Sequence, residues 1–274
     1  MNSVIVNENR ETFVSGKYDV IVAGGSLGGV RAAISAAAEG KTVLLVEETD
    51  WIGGQLTSQA VPPDEHRWIE SQGATASYLE YRRKVRDYYR NKENFSDETK
   101  KKECFCPGDS WVSRIAHEPA VAHELLSEEV GLYVRKGLIT LKLSGKVCGA
   151  ETAGDFVKNV SVMNLFDKTV KKYAAKFFLD ATDCGELLPL TGTEYREGAE
   201  SREETGEPHA AAVPCKEDVQ PVTHVISLEM KEKLEPCDMI EKPDEYEYFL
   251  NKKCDGIPLF GWEYPDARTG KGVR

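Results

Sequence analysis

The sequence has no surplus of positive charge. It carries 35 Lys and Arg against 46 Asp and Glu, a formal net charge of −11. That balance excludes a broad electrostatic hold on nucleic acid or on an anionic membrane surface. No stretch reaches eighteen uninterrupted apolar residues, and residues 1–17 carry no apolar core behind a basic start. Neither a spanning helix nor a secretory signal is therefore predicted, and a soluble, cytoplasmic protein is the expectation. Paired cysteines are also missing: the seven, at 104, 106, 148, 184, 215, 237 and 254, are odd in number and scattered. A chain of this length does not need stapling, so reduced thiols are expected. Metal-ligand spacing is absent too. Cys104 and Cys106 form an isolated C-x-C, and His117 and His123 stand six apart, too far to share a helix face as the two histidines of a zinc protease do. Both histidines read as polar residues around a helix start. With 41% apolar and 30% charged residues the chain is a folded one, not a disordered one.

What is present begins at residue 18. Residues 18–23 (YDVIVA) form a short apolar run rich in β-branched side chains, followed at once by Gly24-Gly25-Ser26-Leu27-Gly28-Gly29. This predicts a buried strand ending in a tight turn. The alanine-rich text of residues 30–39 predicts a helix closed by Gly40, and residues 41–47 (KTVLLVE) predict a second buried strand with Glu47 at its tip. Strand, glycine turn, helix, strand and terminal acid make up a dinucleotide-binding unit. Gly24 permits the sharp turn, the middle position lets backbone approach a pyrophosphate, and Gly29 lets helix and strand pack closely. The helix start offers unpaired N–H groups and a positive dipole end to phosphate. Glu47 is placed to accept hydrogen bonds from both hydroxyls of an adenosine ribose, which disfavours a 2′-phosphate and hence NADP. The unit departs from the G-x-G-x-x-G pattern at Ser26, which stands where the middle glycine belongs.

Three further stretches carry a resemblance. The first is Glu48-Thr49-Asp50-Trp51-Ile52-Gly53-Gly54-Gln55-Leu56-Thr57-Ser58-Gln59. The second is residues 107–114 (PGDSWVSR), leading to Glu118-Pro119. The third is residues 178–192 (FLDATDCGELLPLTG), with Gly198-Ala199-Glu200-Ser201 and residues 205–209 (TGEPH) behind it. In order along the chain, they resemble the FAD-dependent oxidoreductase family of the glutathione-reductase-like superfamily. The resemblance implies a Rossmann-like α/β fold and FAD as cofactor. It implies that Gly53-Gly54 lies against the FAD pyrophosphate, that Gln55 and the three residues after it run beneath the flavin ring, and that Ala181-Thr182 and Gly185 pack on the dinucleotide. The cofactor-binding set is thus Gly24, Gly25, Ser26, Leu27, Gly28, Gly29, Glu47, Glu48, Gly53, Gly54, Gln55, Ala181, Thr182 and Gly185. Read without the family, Ala181-Thr182 is a strand end capped by Thr182 or Asp183.

Between the cofactor segments, residues 75–91 predict a basic, aromatic helix whose Tyr78, Tyr81, Val85, Tyr88 and Tyr89 form a packed face, with its arginines solvated. Residues 118–136 predict an amphipathic helix with Pro119 in its first turn, leading to a strand over 138–143. Residues 147–151, 157–165 and 169–179 predict a β-meander, and residues 176–180 a strand parallel to the first two and to 138–143. The expected organisation is a parallel FAD-binding sheet with crossover helices and an inserted meander over 1–200, with a helical excursion near 60–117. An incomplete substrate-side domain over 201–274 would follow.

These readings predict an FAD-dependent oxidoreductase that passes a hydride between a small organic substrate and the flavin. No acid, base or nucleophile stands out. Asp64-Glu65-His66 reads as an exposed polar loop, with a substrate-facing role as its alternative; Arg114 and His117 are candidates for an anionic substrate, with the same bland alternative. Residues 261–270 resemble text from the middle of family members, so an amino-terminal portion is expected, with a homo-oligomer or a complementary chain supplying the rest. Two other readings stay open. One is a catalytically inactive nucleotide-binding or structural remnant. The other, an NAD-dependent dehydrogenase, is opposed by the W-x-GGQ stretch.

Overall fold

Three strands that lie side by side begin a sheet, and the runs in them that are covered on both faces are apolar, with no polar face to show. They are β1 (Gly16–Ala23), β2 (Val43–Val46) and β3 (Ile139–Lys142). The computed structural model describes residues 14–110, 113–222, 225, 233, 235–236, 241–254, 256–258, 264–265 and 272–273. The readings that fall on residues 1–13, Trp111, Val112, Cys237 and most of 261–270 lie outside the described residues. The chain divides into two compact units, residues 1–226 and 227–274.

In the first unit, β1 is followed by α1 (Leu27–Ala38), β2, a single turn α2 (Gln55–Ser58), α3 (Ala76–Arg90), a second single turn α4 (Asp97–Lys100), α5 (Pro119–Arg135) and β3. A meander of β4 (Gly145–Ala153), β5 (Phe156–Asn164) and β6 (Val170–Asp180) comes next, then the short α6 (Leu187–Thr191) and α7 (Arg202–Thr205). The six strands form one mixed sheet in the order β3-β2-β1-β6-β5-β4. β3, β2, β1 and β6 run parallel, with Val43 opposite Ile139, Val20 opposite Val43 and Val20 opposite Phe177. The expected four parallel neighbours are therefore present. One detail differs: the last meander strand and the fourth parallel strand are a single strand. Residues 170–174 of β6 pair antiparallel with β5, and residues 173–180 pair parallel with β1.

Strand periodicity sorts the core into two layers. Val20, Val22, Val43 and Leu45 face α1, α3 and α5, meeting Val30, Ala33, Val85, Leu126 and Val130. Their alternates Ile21, Ala23, Leu44 and Val46 face Val147, Val160, Val162 and Tyr173 of the meander, and Leu187 of α6. α1 begins at Leu27, earlier than the alanine run suggests, because Ser26 caps it. α3 is capped by Thr75, whose hydroxyl accepts the Tyr78 N–H, and α5 starts with Pro119, where its missing N–H costs nothing.

The α3 arginines correct an expectation. Arg83 is solvated and pairs with Glu80 and Asp87, but Arg82 is 1% and Arg86 7% exposed. Arg82 reaches Glu65 and Glu70, and Arg86 reaches Glu70 and the Phe105 carbonyl. Segment 65–70 lays two carboxylates against α3, and buried charge is tolerated only when paired in this way. Glu65 accordingly is not part of an exposed loop. Its side chain is 4% exposed and also accepts from the Tyr78 and Ser113 hydroxyls. The second unit contains α8 (Tyr246–Asn251) and two minimal ladders, β7 (Lys253–Cys254) with β8 (Ile257–Pro258) and β9 (Tyr264–Pro265) with β10 (Gly272–Val273).

Candidate functional site

The carboxyl ends of β1, β2 and β6 converge on the glycine turn, where open parallel sheets place ligands. Gly24 leaves β1 with φ +95°, and a Cβ added to it would lie 2.1 Å from the Ala181 carbonyl oxygen. A Cβ on Gly29 would lie 2.1 Å from the Gly24 carbonyl oxygen and 3.1 Å from the Ala181 Cβ. These two glycines and Ala181 therefore let strand, turn and helix close on one another, as the spacing implies. Ser26 has φ −58°, a value open to any L residue, and its Oγ accepts the Gly29 N–H at 3.2 Å. The middle glycine is replaceable here because its conformation does not require glycine and its side chain folds back as a cap. Leu27 and Gly28 open the helix, so their N–H groups have no intrahelical acceptor. A Cβ on Gly28 would meet nothing nearer than Ser26 Oγ at 3.8 Å.

Glu47 follows β2 and is tied down on both oxygens. Oε2 accepts the Gly25 N–H at 2.6 Å, while Oε1 accepts the Thr49 N–H at 2.9 Å and its hydroxyl at 2.8 Å. An ionised carboxylate offers about four acceptor positions, so one on Oε2 is left for a hydroxyl group. Behind it, Gly53 donates to the Gly25 carbonyl at 2.7 Å, and Ser26 bridges Gly53, drawing the second glycine pair against the first turn. Gly53 has φ +118° and Gly54 φ +56°.

Two clefts open from this turn. The first, about 370 Å³, is lined on its floor and walls by Gly24, Glu47, Thr49, Trp51, Lys146 and Ala181. The second, about 520 Å³, is lined by Leu27, Gly28, Gln55, Gln59, Asp64 and His66 among others. They share two residues, Ser26 and Asp183. Of the sequence-derived set, Gly24, Ser26, Glu47, Glu48, Gly54, Ala181 and Thr182 line the first cleft, and Ser26, Leu27, Gly28, Gly53 and Gln55 the second. Gly25 packs behind, against Glu47, and Gly29 sits inside the helix–strand contact. Gly185 lines neither cleft; with φ +66° it turns the chain toward α6. That turn is held by Asp180, which accepts from the Thr182 N–H and hydroxyl and from the Leu187 N–H, and by Thr182, whose hydroxyl accepts the Glu186 N–H at 2.9 Å as the capping reading expects.

The rim of the first cleft is acidic, with Glu47, Glu48, Asp183 and Glu186, and one cation among them, Lys146. Lys146 Nζ donates to Glu48 at 2.7 Å and to Glu186 at 2.6 Å, and these two hydrogen bonds hold its ammonium above the usual lysine range. Thr49 and Lys146 escaped sequence reasoning. Thr49 had a local signal, a hydroxyl two residues past the strand-end acid, whereas Lys146 lies on a distant strand and had none. Of the other candidates, Asp64, Glu65 and His66 all line the second cleft, with the Glu65 carboxylate held by Arg82. His117 Nε2 lies 2.9 Å from the buried Tyr81 hydroxyl, and burial holds its ring below the usual histidine range. Arg114 is exposed and lines neither cleft; it borders a neighbouring hollow with Cys104 and Cys106, which shares Glu65, His66 and Ile69 with the second cleft. Among the described residues no group of three His, Cys, Asp or Glu is placed to hold a metal ion, and no helix is long and apolar enough to cross a membrane.

A family model described as FAD dependent oxidoreductase matches residues 19–257. Among curated proteins, the FAD-dependent monooxygenase ntnJ of a Nectria species is 34% identical over 65 residues, which is 24% of this chain and 16% of that protein. Among solved structures, the myxobacterial chondrochloren halogenase CndH, an FAD-dependent halogenase, matches at 19% identity and TM-score 0.39 over 61% of this chain and 37% of its own. A geranylgeranyl bacteriochlorophyll reductase-like protein from Thermoplasma acidophilum matches at 17% identity and TM-score 0.37, over 61% of this chain and 39% of its own. The matched stretches are thus well under two thirds of each relative.

Proposed function

The chain belongs to the FAD dependent oxidoreductase family, whose cofactor is FAD, and from that premise we propose that the paired clefts are its FAD site. The observation that carries this is their meeting at the α1 amino terminus, with the Glu47 carboxylate in one and the Gln55 turn in the other. A dinucleotide needs that order: an acid for the ribose, uncovered backbone N–H for the pyrophosphate, and a second cavity for the redox ring. The residues present fit it, since no side chain fills the space beside Gly28.

In this reading the adenosine half occupies the first cleft, with its ribose on the free acceptor of Glu47 Oε2. The pyrophosphate lies over Leu27 and Gly28, and Gly53 and Gly54 flank it. The flavin half extends over Gln55 and Gln59, where Asp64 and His66 are the polar groups nearest an incoming substrate. Bound FAD would supply hydride transfer with a small organic substrate; the chain binds, orients and shields.

Equilibrium titration of the full chain with FAD, followed by flavin fluorescence and absorbance, tests the assignment. One FAD is expected per chain, competed by ADP. Failure of ADP to compete, or FAD binding unaltered by Glu47→Gln, would move the cofactor out of these clefts.

A further inference from the structure

The two clefts touch at Ser26 and Asp183, so a ligand lying in both passes between them. Ser26 spends its hydroxyl on the Gly29 N–H and presents no charge. Asp183 is the opposite case. It is an acid facing the place where a dinucleotide carries its two negative phosphates, 3.9 Å from where a Cβ on Gly54 would stand. Among the described residues no hydrogen bond or ion pair engages its carboxyl. We propose that Asp183 is the charge gate of the dinucleotide site: the pyrophosphate crosses beside its carboxyl, and tight binding takes up a proton there. This rests on the FAD assignment above.

The surroundings set the sign. Glu47 and Glu48 face Asp183 from the end of β2, and Glu186 faces it from the start of α6; burial, and then these three acids, hold its carboxyl above the usual range. Lys146 of β4 is the cation in reach, and both of its near partners are Glu48 and Glu186, not Asp183. α1 offers no charged side chain in its first turn, and Gln55 of α2 is neutral. Across the second cleft stand Asp64 and His66, while Glu65 is committed to Arg82. A pyrophosphate placed in this field adds negative charge and raises the carboxyl further, so binding draws in a proton. The protonated acid is then a hydrogen-bond donor to a phosphate oxygen instead of a repelling charge.

His66 is the histidine lining the second cleft, so the test starts from full-chain His66→Gln to leave Asp183 as the group under test. FAD affinity is measured by fluorescence titration between about pH 5.5 and pH 8, with Asp183→Asn added in a second protein. The single variant should bind about tenfold more weakly at the alkaline end, a change equal to one unit of proton linkage. The double variant should bind at pH 8 about as tightly as the single variant does at pH 5.5, with a flat profile. Calorimetry of the single variant in two buffers of different ionisation enthalpy should show proton uptake. A pH profile unaltered by Asp183→Asn, or an Asn variant that binds more weakly, would overturn the proposal; the second result would make the ionised carboxylate an acceptor for a cofactor hydroxyl. Absence of FAD binding by either protein at every pH would overturn the FAD site itself.

Discussion

Glu47 shows how one side chain serves both fold and site. Its two oxygens each accept an N–H, from Gly25 and from Thr49. An amide cannot replace it without aiming its own N–H at one of those donors. Glu47→Gln is therefore expected to weaken FAD binding by about ten- to a hundredfold, the range for losing hydrogen bonds to a charged group, and calorimetric titration reads it. Gly29→Val should be harsher. Its Cβ already collides with the Gly24 carbonyl oxygen, so both FAD binding and thermal stability should fall, and unchanged FAD affinity by calorimetry would contradict the packing role. Ser26→Gly should cost only a few tenths of a kcal/mol, and Ser26→Ala about 1 kcal/mol, by denaturant titration, since the position needs a cap and not a special backbone angle. The packing roles of Gly24 and Gly29 were legible in the sequence because the strand end and helix start that demand them are written in adjacent residues, and Glu47 was legible as the acid at a strand end. Asp183 was legible only as a helix-cap candidate, because its relation to Ser26 exists only once β1 and β6 lie side by side.

At the scale of elements, the apolar strands and the two long helices were legible because their periodicity is local. The partners of α3 were not. Nothing in a basic helix tells whether its arginines meet water or acids, and Glu65 and Glu70 come from a segment with no regular structure. The difference is measurable. Glu65→Ala leaves Arg82 buried and partly unpaired, and should cost about 3–5 kcal/mol in denaturant unfolding, whereas Arg83→Ala on the outer face should leave the unfolding midpoint nearly unchanged. Glu70 adds a pH signature. Burial alone would raise its carboxyl, but hydrogen bonds and charge from Arg86 and Arg82 hold it below the usual range. A depressed acid stabilises the fold above its unfolded value, and that contribution is lost as pH falls through the folded one. Glu70→Gln should accordingly flatten the acid limb of stability against pH without shifting the neutral plateau relative to its own pH 5 value.

For the whole molecule, a formal charge of −11 means that an anionic dinucleotide approaches against the field. Its association rate should rise as salt goes from about 0.01 to 0.15 M, the reverse of a steered encounter, and stopped-flow fluorescence would show it. Sequence distance matters at this scale as well. Asp19 on β1 is ion-paired with Lys176 on β6 across 157 residues, and residues 173–180 of β6 run beside β1. During synthesis β1 and β2 emerge early, yet one flank of β1 has no partner until β6 leaves the ribosome. For all that time, the run Val20–Ile21–Val22–Ala23 has an open edge of backbone donors and acceptors, the kind of template that invites a stray strand. Folding of this unit is thus timed by its last strand, and a nascent chain stalled before residue 170 should bind chaperone or aggregate where one stalled well past residue 180 does not.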